Sequence, residues 1–138
     1  MIQTQHPCAH TAGKPTSHQM FTDLIHRARI HAPVPFAVVW PCEAHALVGA
    51  LDAAKEGLIQ PVLIGDEARI RAVAQNSQID LQTCQIIPAP TPETAAQKAV
   101  ELARAHHVQG IMKGSLHTDA LMHAVVSPSG GLCTTRRI

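Results

Sequence analysis

Four short, mostly apolar runs recur along this chain with a helix-length stretch after each, and that rhythm admits few folds. The runs are Phe36 to Trp40, Pro61 to Ile64, Cys84 to Ile87 and Val108 to Met112. Near-continuous apolar runs of this length belong to strands buried on both faces. The stretches around them have helical spacing. Phe21, Leu24, Ile25 and Ala28 recur one helical turn apart and predict a helix from Ser17 or His18 to Ile30, ended by Pro33 and Pro35. Glu43 to Glu56 predicts a second helix with Leu47, Val48, Leu51 and Ala54 on one face. Gly57 should stop it in a left-handed conformation. Asp66 predicts the cap of a third helix carrying Ile70, Val73 and Ala74. Thr91 and Pro92 predict the cap and first turn of a fourth, which runs to about His107 with Ala96, Ala99, Val100 and Ala103 inward. A fifth covers Asp119 to Val126.

Strand and helix alternating at this spacing predict a parallel sheet with helices on both faces, joined by right-handed crossovers. Aromatic residues make up only 2% of the 138 residues, so Ala, Val, Ile and Leu must build the core. A chain of this length is one domain and buries roughly two thirds of its unfolded surface. Residues 1–17 are polar and read as a disordered leader, and residues 18–138 as the α/β part.

Open parallel sheets bind ligands at the carboxyl ends of their strands. There the fourth run leads into Lys113-Gly114-Ser115-Leu116-His117-Thr118-Asp119. Gly114 permits close backbone approach, Thr118 is a suitable helix cap, and Asp119 favours the first turn. The free amides of the helix start, with Lys113 and Ser115 beside them, suit a phosphate group. The same residues also suit an ordinary capped turn. Pro41-Cys42-Glu43 follows the first run and should face the same rim.

Composition excludes several classes. Eleven Lys plus Arg balance ten Asp plus Glu, with no basic stripe for nucleic acid. No apolar run is long enough to span a membrane, and the amino-terminal stretch lacks a secretory signal's apolar segment. Cys8, Cys42, Cys84 and Cys133 are widely spaced and read as reduced thiols of a cytoplasmic protein. His6-Pro7-Cys8-Ala9-His10 suits transient metal contact, but no spacing matches a structural zinc site, so no metal is expected. Dinucleotide, P-loop and serine-hydrolase glycine patterns are absent.

The run Lys113 to Asp119, with Gly131-Leu132 and Thr135-Arg136-Arg137-Ile138, resembles the phosphate acetyltransferase/phosphate butyryltransferase family. It is most similar to the transferase half of bifunctional enoyl-CoA hydratase/phosphate acetyltransferases. Phe36 to Pro41, Gly57 to Gly65 and Thr94 to Val100 agree with the family's first strand, second strand and a later helix. The likeness covers roughly residues 20–138. It departs where the family's "GLRT" becomes Gly131-Leu132-Cys133-Thr134, and at Ile138, beyond which the family continues.

The resemblance implies a three-layer α/β/α fold of the isocitrate/isopropylmalate dehydrogenase type, incomplete here. It implies exchange of an acetyl or butyryl group between coenzyme A and phosphate. No tightly bound cofactor is expected, and coenzyme A enters as substrate. Lys113, Gly114, Ser115, His117, Thr118, Arg136 and Arg137 become the expected phosphate or coenzyme A contacts. The general base is not visible and is expected in a portion absent from this chain. The chain is then an amino-terminal portion with little activity alone, prone to self-association or homo-oligomer formation through uncovered edges. The alternatives are a non-catalytic anion-binding or assembly module, or a truncated, unstable product without a function of its own.

Overall fold

The computed structural model describes residues 16–81 and 84–134. Residues 1–15, most of the expected leader, and 135–138, which include Arg136 and Arg137, lie outside that range. Helix α1 (Ser17–Ala28) begins inside the expected leader and ends two residues earlier than expected. Its start is fixed by a reciprocal cap. Gln19 N–H donates to the Thr16 hydroxyl, and Thr16 N–H donates to the Gln19 side chain.

The chain then alternates as its apolar rhythm requires: β1 (Val34–Val39), α2 (Ala44–Lys55), β2 (Ile59–Gly65), α3 (Glu67–Asn76), β3 (Gln85–Pro88), α4 (Pro92–Arg104), β4 (Gly110–Lys113) and α5 (Thr118–Val126). All pairings are parallel and the order is β3-β2-β1-β4. Val38 sits between Leu63 and Met112 in register. The first two crossovers move outward from β1 and the third returns across it to β4. Right-handed crossovers therefore place α2 and α3 on one face and α4 on the other. Helix α4 packs on β1, β2, β4 and α5, while α2 packs on β2 and α3.

Local chemistry sets most of these boundaries. Asp66 accepts from Arg69 N–H at 3.1 Å and starts α3. The Thr91 hydroxyl accepts from Thr94 N–H at 3.2 Å ahead of Pro92. Gly57 adopts φ +73° just after α2, as a helix-stopping glycine does. Ala95, Ala96, Ala99 and Val100 are buried on α4, and these small side chains let the helix lie close to the sheet.

Three expectations needed correction. Val48 is 38% exposed and Ala50 takes its place beside Leu47 and Leu51, because the true seam of α2 runs about 35° round from the expected one. Trp40 lies past the end of β1 rather than in it. Lys113 is the last residue of β4 rather than the first of the loop.

The core is aliphatic, with Leu47, Leu63, Ile64, Ile70, Val38 and Val39 wholly buried. Leu63→Ala, in a central strand, should lower unfolding free energy by about 2–5 kcal/mol in urea titration, whereas Val48→Ala should cost less than about 1 kcal/mol. Equal losses would show that the core does not lie at β2.

Candidate functional site

The carboxyl ends of adjacent strands β1 and β4 carry the residues singled out in the sequence, and the structure stitches their two loops together. Gly114 N–H donates to Val39 O at 2.8 Å and Ser115 N–H to Trp40 O at 2.9 Å. The Ser115 hydroxyl donates to Trp40 O at 2.8 Å and accepts from Cys42 N–H at 3.1 Å. Cys42 N–H also lies 2.9 Å from Trp40 O. One carbonyl, that of Trp40, thus gathers donors from both loops.

Gly114 is required there by space. A Cβ on it would stand 2.3 Å from Val39 O and 2.6 Å from Trp40 O, both of them backbone atoms. Trp40 adopts φ +56°, a left-handed conformation that is an outlier for a bulky residue and costs on the order of 1–3 kcal/mol. Trp40 N–H donates to Ile64 O at 2.7 Å, so the strained residue is held on both sides.

The expected contacts are distributed unequally. The Lys113 ammonium folds back and donates to Leu116 O at 2.9 Å and Gly114 O at 3.3 Å. Ser115 is committed to the seam between loops. Leu116 is buried beneath the turn and anchors it to the core. The cap of α5 is His117, in extended conformation and without a side-chain cap bond, and Thr118 is the first helical residue. The expectation that Thr118 caps this helix is therefore corrected. The loop turns one residue earlier because Ser115 and Leu116 are both pulled inward. Asp119 lies in the first turn as expected. His117 and Thr118 are exposed, and the open donors of the loop are the amides that begin α5. Arg136 and Arg137 are outside the described residues.

Arg69 and the ring of Trp40 meet at this rim without being among the expected contacts. Arg69, in the first turn of α3, places its guanidinium 5.9 Å from the Trp40 ring centroid. Its position three residues after the capping Asp66 was the available signal, since every helix start after a strand faces this rim. Cys42 is buried beside them. Burial pushes its thiol up from the ordinary value, against smaller opposing effects from a backbone hydrogen bond at Asp66 and from the Arg69 charge. Among the described residues no group of three or more His, Cys, Asp or Glu side chains is placed to hold a metal ion, and no helix is long and apolar enough to cross a membrane.

A parallel three-layer sheet with its polar loops at the carboxyl ends of two adjacent strands has the architecture of the open-sheet α/β enzymes. No family model matches the chain. Relatives do. A phosphate acetyltransferase of Rickettsia felis is 49% identical over 118 residues, 86% of this chain and 34% of the relative. One of Rhizobium meliloti is 44% identical over 124 residues, 90% of this chain and 39% of the relative. A phosphate butyryltransferase of Clostridium acetobutylicum is 28% identical over 83% of this chain. The phosphotransacetylase structure of Streptococcus pyogenes superposes with a TM-score of 0.68 at 14% identity, covering 80% of this chain and 42% of that one. The chain belongs by homology to the phosphate acetyltransferase family, with phosphate butyryltransferases as more distant relatives. It spans about a third of the length of the acetyltransferases it matches.

Two outcomes follow from the seam. Gly114→Ala must part the loops and should destabilise the fold by about 1–3 kcal/mol while shifting the emission of the single tryptophan; unchanged emission and stability would show that the loops are not in contact. Cys42 should react with iodoacetamide far more slowly than exposed Cys133 at pH 8. Because its folded-state pKa is raised, the stability tied to its protonated form is present below the ordinary thiol range. It is lost as pH climbs towards the raised value. Equal labelling of the two thiols in the native protein would contradict this placement.

Proposed function

We propose that the chain supplies the phosphate-side wall of a phosphate acetyltransferase. In that reaction a phosphate oxygen attacks the thioester carbonyl of acetyl-CoA. The carbon–sulfur bond breaks, and acetyl phosphate and coenzyme A leave. The observation that carries the reading is the 44–49% identity to proteins named phosphate acetyltransferase. Acetyl is preferred to butyryl because the butyryltransferase relatives are only 26–28% identical. Such a family works on soluble substrates, and the cytoplasm is the compartment in keeping with it.

The start of α5 suits the anion. Its amides, from His117 onward, have no helical partners, and the helix dipole adds partial positive charge. Lys113 contributes by holding the carbonyls of Gly114 and Leu116, which turns the amide side of the loop outward. It can release those carbonyls for a full negative charge, a stronger hydrogen-bonding partner than a neutral one. Ser115 acts by shaping the loop. His117 and Thr118 are exposed where a phosphate or the diphosphate of coenzyme A would approach. Arg136 and Arg137 remain candidates for a second clamp. Transfer also needs the thioester held against the phosphate and the developing oxyanion stabilised, which depends on groups from more than one side of a cleft.

A second reading, an anion-binding module without turnover, draws on a specific observation: Lys113 and Ser115 spend their side-chain hydrogen bonds on backbone atoms of the chain itself. Two measurements separate the readings. Phosphate titrated into 15N-labelled protein should move the amide resonances of residues 116–119 first, and Lys113→Ala should weaken that binding by about 1–3 kcal/mol. Shifts confined to other parts of the chain would place the anion elsewhere. Residues 1–138 mixed with acetyl-CoA and phosphate should release little or no thiol, because a third of a relative's length offers one wall only. Sustained thiol release would establish a complete enzyme in 138 residues.

A further inference from the structure

Trp40 faces two ways. Its carbonyl reaches the loop after β4, where it accepts from the Ser115 amide at 2.9 Å and the Ser115 hydroxyl at 2.8 Å. Its ring reaches the other way, onto the end of β2 and the start of α3. A Cβ on Gly65 would stand 3.3 Å from Trp40 Cε3, and 3.4 Å from both Trp40 Cα and Ile70 Cδ1. The ring therefore lies against the bare backbone of Gly65, with Ile70 beside it. The Arg69 guanidinium covers it, 5.9 Å from the ring centroid. Trp40 is only 8% exposed, so the ring is packing surface and not a platform for a ligand.

The first turn of α3 is arranged to keep Arg69 there. Arg69 N–H donates to the capping Asp66 carboxylate at 3.1 Å, which fixes its backbone. Glu67 pairs with Arg71 at 2.7 Å. Both neighbouring carboxylates are thus engaged, and the Arg69 guanidinium is left to the ring. Trp40 needs such a hold. A bulky residue in the left-handed region stays there only while its surroundings over-determine it. Ring and carbonyl share one Cα. If the ring lifts from Gly65, the backbone relaxes and the carbonyl swings away from Ser115.

We propose that Arg69 is a positioning residue for the loop from Lys113 to Thr118. It holds the Trp40 ring on Gly65, and the ring holds the Trp40 backbone in the conformation that aims its carbonyl at Ser115. The start of α3 thereby sets the shape of a loop that leaves a different strand. The consequence for phosphate rests on the reading of this loop as the phosphate-side wall, whereas the mechanical link between the two places does not.

Hydrogen–deuterium exchange of the 138-residue chain, resolved by NMR, reads that link without any ligand. The Ser115 amide reports the loop, and the amide of wholly buried Ala99 in α4 reports global opening. Arg69→Ala, at an exposed position, should speed exchange at Ser115 roughly threefold or more relative to Ala99 and shift the tryptophan emission. Arg69→Lys, which keeps a cation over the ring, should restore most of the protection. Gly65→Val, which lifts the ring and changes no charge, should speed Ser115 exchange roughly tenfold relative to Ala99. Phosphate titrated into the same proteins should bind more weakly to both Arg69→Ala and Gly65→Val. Exchange at Ser115 that merely follows Ala99 in Arg69→Ala would overturn the proposal, because Arg69 would then serve overall stability alone. Weakened phosphate binding in Arg69→Ala with unchanged Ser115 exchange would also overturn it, and would make Arg69 a distant charge. A wild-type chain whose amides at 116–119 ignore phosphate would sink the phosphate-wall reading, and the exchange result would still decide the role of Arg69.

Discussion

The carbonyl of Trp40 is the fixed point of the carboxyl rim. It accepts from Ser115 N–H and the Ser115 hydroxyl, with Cys42 N–H close by, while Trp40 N–H donates to the end of β2. This cluster ties the exits of three neighbouring strands, β1, β2 and β4, into one surface. It also sustains a left-handed tryptophan, whose strain of about 1–3 kcal/mol is comparable to what two or three modest net hydrogen bonds return. Gly114 is the condition for all of it, since any side chain would collide with the backbone of Val39 and Trp40.

That arrangement changes what each polar group of the Lys113–Asp119 loop does. A cation, a hydroxyl and a helix start, read in line, look like three ligands for one anion. In the folded chain the hydroxyl fixes the loop to its neighbour, the cation orders two carbonyls, and the helix start is left as the open donor set. Such ordering would favour the anion binding proposed for this loop, because donors fixed in advance need not be reorganised. Arg69 over the Trp40 ring brings a further positive charge to the same rim from the first turn of α3.

The two faces of the sheet are covered differently. Helices α2 and α3 lie over β2 and β3 through Leu47, Leu51 and Ile70, while α4 crosses over three strands on alanines and a valine. Small side chains on α4 let one helix span the sheet without wide gaps, consistent with a core almost free of aromatic residues. The strands at the two edges, β3 and β4, are only partly buried, as is expected where pairing ends. Helix α1 stands apart from this scheme, joined to the body chiefly through Arg29 and Glu56.

By itself the sequence determined the parallel α/β architecture, the family, and nearly every helix boundary with a local signal. Apolar runs, the caps at Asp66 and Thr91, and the stop at Gly57 act through neighbours a few residues away, so their meaning survives in one dimension. Only the tertiary structure decided the roles at the rim. Gly114 reads as a flexible turn residue until the backbone of β1 is placed 2.3 Å from its missing Cβ. Ser115 reads as a ligand until its partners, 73 and 75 residues away, are known. Thr118 reads as a cap until Leu116 is drawn into the core and the turn closes at His117. Arg69 and Trp40 carry no shared signal in the sequence, because a ring just after β1 and a guanidinium at the start of α3 meet only when β1 and β2 pair in register. Contacts of that kind depend on distance in space, and the linear pattern does not encode it.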